Sequence, residues 1–434
     1  MHELSPKLAL SSCGRPFAEL TAIRLAHAVQ LESMDESHVI LFHGLTGRRL
    51  QVSRRVHDLL LRLQRTATVA DLIAWAPSAA TLLEMLYQRA FLVDADDAAW
   101  SQPRRLLAPS AHTMFHCPRV PAAEHLNAQA DVVFLGVPFD LGSTVVGGQR
   151  RGPAELRIAS NQFIYETSLE DGRSLGWYDF DSGNRILEGV RILDAGDFCF
   201  EHGEPVDSIY QRLGSVWHAL QRFGALPVSL GGDHSITFPL VERMQRDRDI
   251  ALIWFDAHTD ESFYRHGQSH HYGNVLTRTL GLSGVRKVIR VGTRGPVSTC
   301  REVNSERCRT ISARELQRFG PSVLEDAIPA GLPCYVSIDL DVLDPSVAPA
   351  VGTPVPGGLT LHELEDAVAA VALRARVEAL DLVELNPGLM PGNLTACVSS
   401  RVLLSALQAI MLSRRERAAE LKTQNLEEDR ACTA

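Results

Sequence analysis

From Asp131 onward the chain repeats one pattern. Short apolar runs (VVFLGVP, VRILDAG, PVSLGG, IALIWFDAH, KVIRVGTRG, CYVSIDLDV and VEALDLVEL) mostly end in Gly, Asp or His. Helical periodicity lies between several of them, as over 206–223 and 361–375. Buried strands alternating with helices predict a parallel sheet covered on both faces. Ligands of such sheets bind outside the carboxyl ends of the strands, where the polar residues of these runs fall. The first 95 residues read differently. Two short strands, His38–Phe42 and Arg49–Val52, flank a Gly-containing hairpin loop. Ser53 is placed to cap a helix carrying Val56, Leu59, Leu60 and Leu63; a second short helix starts at Thr68. A third over Ser78–Arg89 has Leu82, Leu83, Leu86 and Tyr87 on one face, and Phe91–Asp94 forms a closing strand. The expected organisation is a small α+β module (1–95), a Pro-containing linker (96–124), an α/β domain (125–414) and a loose charged tail (415–434).

Composition narrows the function classes. The 434 residues are 45% hydrophobic and 22% charged, a globular balance. Forty-three Lys+Arg against 52 Asp+Glu give −9, which disfavours a dedicated nucleic-acid binder. No apolar run is expected to span a membrane, and the N-terminus lacks the layout of a signal peptide. Eight scattered cysteines without a C-x-x-C pair predict reduced thiols in a cytoplasmic protein.

Three clusters at strand ends carry the candidate chemistry: Gly231-Gly232-Asp233-His234-Ser235, Asp256-Ala257-His258-Thr259-Asp260, and Asp339-Leu340-Asp341. Side chains two apart in extended chain point the same way, so Asp256, His258 and Asp260 project together, as do Asp339 and Asp341. With His234 they make four carboxylates and two imidazoles. That donor set is too hard for a thiolate-type zinc site and suits Mn²⁺ or a similar ion. So many packed carboxylates require divalent cations to be tolerable, and two ions account for the excess charge. Each cluster alone is common loop or cap chemistry; three in one strand array point to a metal centre.

These motifs, with GVPFDLGSTVVGGQRRGPAELR upstream and DLVELNP downstream, resemble the ureohydrolases (arginase, agmatinase and relatives) over about residues 131–412. The resemblance implies a three-layer α/β/α fold with a central, mainly parallel sheet and a site holding two Mn²⁺. Carried over residue by residue, His234 and Asp260 would bind one ion and His258 and Asp341 the other, with Asp256 and Asp339 bridging. It also implies a cytoplasmic, oligomeric hydrolase that cleaves a guanidino group to urea and an amine.

Two ions lower the pKa of a shared water toward neutrality. Glu384 matches the position that holds the guanidinium through charge-assisted hydrogen bonds, and Asp260 could accept a bond from the nucleophile. The departing amine needs a proton. His266, His270 and His271 all lie in the loop after Asp260; His271 fits the family spacing best, since the apolar Val275 follows four residues later, and His270 is the runner-up. His271 is followed by Tyr272 and not by the glycine usual after the family's histidine.

The substrate stays open between several readings. The loop ESFYRHGQSHH and the segment Gly292-Thr293-Arg294-Gly295-Pro296 lack the features that hold free arginine, and the second of them resembles the agmatinase side of the family. The N-terminal module is similar to the small winged-helix-like domains of enzymes that modify ribosomally made precursor peptides. This implies a leader peptide bound by strand addition and peptide-bound arginine converted to ornithine. The alternative is a free small substrate such as agmatine or a guanidino acid. Another class is a ligand-sensing DNA-binding regulator, to which Arg48, Arg49, Arg54, Arg55, Arg62 and Arg65 would lend charge.

Overall fold

The computed structural model describes residues 2–3, 17, 20–26, 29–34, 37–43, 49–63, 67–75, 79–89, 91–95, 107–120, 130–169, 173–200, 203–221, 225–261, 270–297, 305–329 and 331–433. They divide into two compact units.

The larger unit takes in 109–117, 131–197 and 226–434. Its sheet is built from β1 (Val132–Gly136), β2 (Ile192–Phe198), β3 (Leu226–Leu230), β4 (Ile250–Phe255), β5 (Val285–Thr293), β6 (Cys308–Ser312), β7 (Pro333–Asp339) and β8 (Arg376–Val383). The order is β6-β5-β4-β7-β8-β3-β1-β2, and every neighbouring pair among these strands is parallel. Helices α1 (Gly152–Ser160), α2 (Thr237–Gln245), α3 (Val275–Leu280), α4 (Ala313–Phe319), α5 (Leu361–Arg374) and α6 (Leu394–Thr433) accompany it.

Strands β1, β3, β4 and β7 are buried at every position, which explains their unbroken apolar runs. Phe134, Val228, Ile253, Val336 and Leu382 share one core with Val368 and Val371 of α5 and Leu403 and Leu407 of α6. The alternate residues Leu135, Leu252, Trp254 and Tyr335 point to the opposite face and are buried too. Each such apolar side chain contributes roughly 1.5–3 kcal/mol on leaving water. Helix α5 opens on a capping box: the Thr360 hydroxyl accepts from the Glu363 N–H and the Glu363 carboxylate accepts from the Thr360 N–H. Such a cap contributes about 1 kcal/mol.

Three expectations need correction. Residues 415–434 are not a loose tail, because α6 runs on to Thr433. Arg414 and Arg417 donate to the carbonyls of Val377 and Ala372, and Arg415 donates to that of Glu188. The segment is poor in apolar residues but rich in helix formers, and it extends a helix already nucleated. Residues Leu394–Glu420 of this helix are, by length and composition, apolar enough to cross a membrane, yet most of the apolar stretch is buried in the unit's core. The segment 96–124 is not linker throughout either: Met114, Phe115 and Cys117 are buried in the same core.

The other unit takes in 1–108, 118–130 and 198–225. The expected hairpin forms from His38–His43 and Arg49–Ser53, with Val39 opposite Val52 and Leu41 opposite Leu50. Its loop, 44–48, lies outside the described residues. The three helices are Arg54–Arg62, Val69–Trp75 and Ala80–Gln88, and the closing strand is Leu92–Asp94. The strands His2–Glu3, Ala22–Leu25, Val29–Met34 and Ala67–Thr68 escaped the pattern. Ala22–Leu25 pairs with both Ala67–Thr68 and Leu92–Asp94, and Val29–Met34 pairs with His38–His43. Ile23, Val39, Val52, Leu60, Leu83 and Leu86 form this unit's own core. Helix Val206–Gln221 groups here, so the division is not a single cut near residue 125. Among the described residues Cys117, Cys199, Cys308, Cys334 and Cys397 are free thiols.

Candidate metal centre

Strands β4, β7, β8 and β3 are consecutive in the sheet, so their carboxyl ends converge. After β3 the chain passes Phe139 so closely that a Cβ on Gly232 would lie 1.7 Å from the Phe139 carbonyl oxygen, and only glycine fits. Asp233 then caps the short turn His234–Ile236 by accepting the Ser235 N–H, and its other oxygen accepts the Gly142 N–H at 2.7 Å. This locks the backbone that presents His234. After β7, Asp339 accepts the Asp341 N–H at 2.8 Å and turns the chain so that both carboxylates face the same space. After β4, the His258 and Ala257 N–H groups are held by Asp256 and Asp341.

The six sequence-predicted ligands meet. His234 Nδ1 lies 3.3 Å from Asp256 Oδ2, 3.4 Å from Asp260 Oδ2 and 3.0 Å from Asp339 Oδ2. His258 Nδ1 lies 3.4 Å from Asp256 Oδ1 and 2.9 Å from Asp341 Oδ2. Asp256 therefore turns one oxygen to each imidazole. Ligand atoms of His234, Asp256 and Asp260 lie within 4.8 Å of one another, as do those of Asp256, His258 and Asp341. Asp339 stands on the His234 side.

The electrostatics ask for positive charge. Burial, with the neighbouring Asp256 charge, pushes Asp260 up to about 7. Burial and its carboxylate neighbours also hold Asp339 well above the carboxylate range. Burial would depress His258, but Asp256 and Asp341 outweigh it and raise the imidazole to about 12. His234 Nδ1 is buried and makes no hydrogen bond, although three carboxylate oxygens stand within 3.4 Å. An orphaned donor-set nitrogen among carboxylates fits a divalent cation.

Residues outside the three clusters hold these six side chains in place. His234 Nε2 pairs with Ser337 Oγ at 2.9 Å, and Ser337 donates to Asp381 at 2.6 Å. Asp381 also accepts from Tyr335 and Thr237. Trp254 stacks on the His234 ring and donates its Nε1–H to Asp256 Oδ2 at 2.9 Å. Arg294 gathers the carbonyls of Asp341, Val342 and Leu343. Such partners fix ligand orientation. The sequence signal for Ser337 and Asp381 was a polar residue inside an otherwise apolar strand; Trp254 carried none.

Glu384 follows β8 with φ +71, and Asp260 has φ +47. Left-handed backbone at such residues costs on the order of 1–3 kcal/mol and collects at functional sites. Glu384 is held on three sides. Its N–H donates to Gly232, Oε1 accepts the His234 N–H at 2.8 Å, and Oε2 accepts the Gln149 amide at 2.9 Å. Burial, helped by the Asp233 charge, lifts its carboxyl to about 8. The Leu276 N–H donates to the Asp260 carbonyl at 3.1 Å. His271 is buried just ahead of the turn Tyr272–Asn274, His270 is half-buried, and His266 lies outside the described residues. Tyr272, whose phenol bonds the Thr144 side chain, is within electrostatic range of Glu384, Asp260 and His258.

Known proteins agree with this architecture. A guanidinopropionase of Pseudomonas aeruginosa is 31% identical over 290 residues, 64% of this chain and 86% of that protein. An agmatinase of Proteus mirabilis is 30% identical over 288 residues, 65% of this chain and 88% of that one. The solved proclavaminate amidino hydrolase of Streptomyces clavuligerus shares the fold, with a TM-score of 0.56 at 24% identity over 69% of this chain and 97% of its own. The sequence pattern of the arginase family matches residues 130–408, which contain all six clustered side chains, and the chain belongs to that family.

Proposed function

We propose that this protein hydrolyses the guanidino group of a small free substrate, of the agmatine or guanidino-acid kind, to urea and an amine. The observation that carries the reading is Glu384, a buried carboxylate bonded to the backbone of His234 beside the metal cluster. In support, the similar proteins include a guanidinopropionase and an agmatinase.

In this reading His234, Asp256, His258, Asp260, Asp339 and Asp341 would together hold two manganese ions. When bound, the ions supply a water acidic enough to ionise near neutral pH. Each Glu384 oxygen accepts one bond from the protein and keeps a lone pair for a guanidinium N–H. The incoming cation favours the charged form of this carboxyl. Asp260 accepts a proton at the reacting centre, and His271 delivers one to the leaving amine.

A second reading has an observation of its own. The family match leaves residues 1–129 outside it. There Val29–Met34 stands at the end of its described sheet order, where an added strand could pair. A precursor peptide held there would present peptide-bound arginine. The test is urea release by the manganese-loaded protein from free arginine, agmatine, guanidinobutyrate and arginine-containing peptides. Turnover of agmatine or guanidinobutyrate above the others supports the first reading. Peptide turnover alone selects the second, and no urea from any of them removes both.

A further inference from the structure

Gln149 lies outside the metal motifs, yet it is 1% exposed and touches the centre of the site. Its Nε2 donates to Glu384 Oε2 at 2.9 Å. That bond fixes the amide's orientation, since a flipped amide would set its oxygen against a carboxylate. Oε1 is then left buried with no hydrogen-bond partner. A buried acceptor without a partner costs about 1–3 kcal/mol, and an isolated one in a site calls for a ligand.

The platform beneath Gln149 is rigid. Gly148 adopts φ +133, and a Cβ there would lie 2.5 Å from Asn386 Oδ1. The Gly148 N–H is held by Asp140 at 2.8 Å, and Asp140 also accepts Arg150 at 2.7 Å. Across from the amide sits Gly352. A Cβ on Gly352 would come within 3.0 Å of Gln149 Nε2 and 3.6 Å of Glu384 Oε2, so the missing side chain leaves room beside this pair. Gly352 is not in left-handed backbone, so its value is space rather than conformation.

We infer that Gln149 is a substrate-positioning residue: Nε2 aims the Glu384 carboxylate while Oε1 accepts a further N–H of the same guanidinium. A planar guanidinium has more N–H groups than one carboxylate can satisfy, and an adjacent carbonyl oxygen supplies the missing acceptor. This rests on the guanidino reading above. It adds a neutral contact that rewards a donor-rich planar cation over a simple ammonium, which presents no second in-plane N–H.

The experiment compares wild type, Gln149→Leu and Gly352→Ala, each loaded with manganese and checked for metal content. KM and kcat are measured on whichever guanidino compound wild type turns over, and binding of methylguanidine is measured by calorimetry. The expected result is a KM raised tenfold or more in Gln149→Leu, with weaker methylguanidine binding, unchanged metal content and a smaller change in kcat. Gly352→Ala, which presses on the amide without removing it, shifts KM in the same direction. If wild type releases no urea from any guanidino compound, the reading beneath this inference fails. If wild type is active and both variants keep its KM and methylguanidine affinity, the role assigned to Gln149 fails alone. Loss of metal in Gln149→Leu, with KM unchanged in Gly352→Ala, also overturns it.

Discussion

The ring of His234 stacks on the indole of Trp254, with centroids 3.9 Å apart and planes 9° from parallel. The same indole donates to Asp256. One indole on β4 therefore orients two groups of the candidate metal cluster from different strands. Trp254→Phe keeps a stacking face and removes the N–H. Outer-shell losses of this kind cost roughly 10–100-fold in metal affinity. Manganese titration of the variant should show a drop in that range; an unchanged affinity would mean the indole only fills space.

Asp256 faces both imidazoles and Asp341 only His258. Asp256→Asn should lower the metal content below that of Asp341→Asn and abolish urea release, as read by elemental analysis beside the activity assay. Equal metal loss in the two variants would contradict a shared ligand.

Metal uptake should release protons. Against burial, Asp256 and Asp341 raise the His258 imidazole to about 12, and burial pushes Asp260 up to about 7, whereas a cation requires the neutral imidazole and the free carboxylate. Apparent manganese affinity should therefore rise with pH, more steeply below about pH 7, where Asp260 as well as His258 must lose a proton, than above it. Calorimetry in two buffers of different ionisation enthalpy counts the protons. A heat independent of buffer would count against it.

His271 is buried, whereas His270 is half-buried. If His271 supplies the proton to the amine, His271→Asn should reduce kcat by roughly 10²–10⁴-fold and leave metal content intact, while His270→Asn has a small effect. The reverse pattern would move the role to His270.

A structural prediction concerns α6. Arg401 pairs with Asp179 at 2.7 Å and with Glu365 at 3.0 Å. Burial would raise the Asp179 carboxyl, but bonds from Ser182 and Arg401 outweigh it and hold it at about 2. A depressed carboxyl stabilises the fold above its unfolded value, and that contribution fades as pH falls through about 2. Asp179→Asn should cost about 1 kcal/mol near pH 7, with the gap to wild type narrowing in urea denaturation as pH falls from about 4 to about 2. A constant gap would place its effect elsewhere.

Much of the molecule was legible in the chain. The strand runs were readable because a sheet buried on both faces needs unbroken apolar segments, and β1, β3, β4 and β7 are buried throughout. The six ligands were readable because each group ends such a run. Val29–Met34 and Ala22–Leu25 were not, since short strands with little alternation acquire their identity from the partner they pair with. The end of α6 was misread because helix propensity, unlike apolar periodicity, leaves no stripe to follow.

The sequence by itself determined which donors exist and that they stand at strand ends, because local spacing and side-chain chemistry are properties of the chain. Only the tertiary structure decided who orients whom. Gln149 meets Glu384 across 235 positions, Ser337 meets His234 across 103, and Tyr335 and Thr237 share Asp381. Those pairings depend on strand order and on which face each side chain takes, and neither is encoded in any single segment.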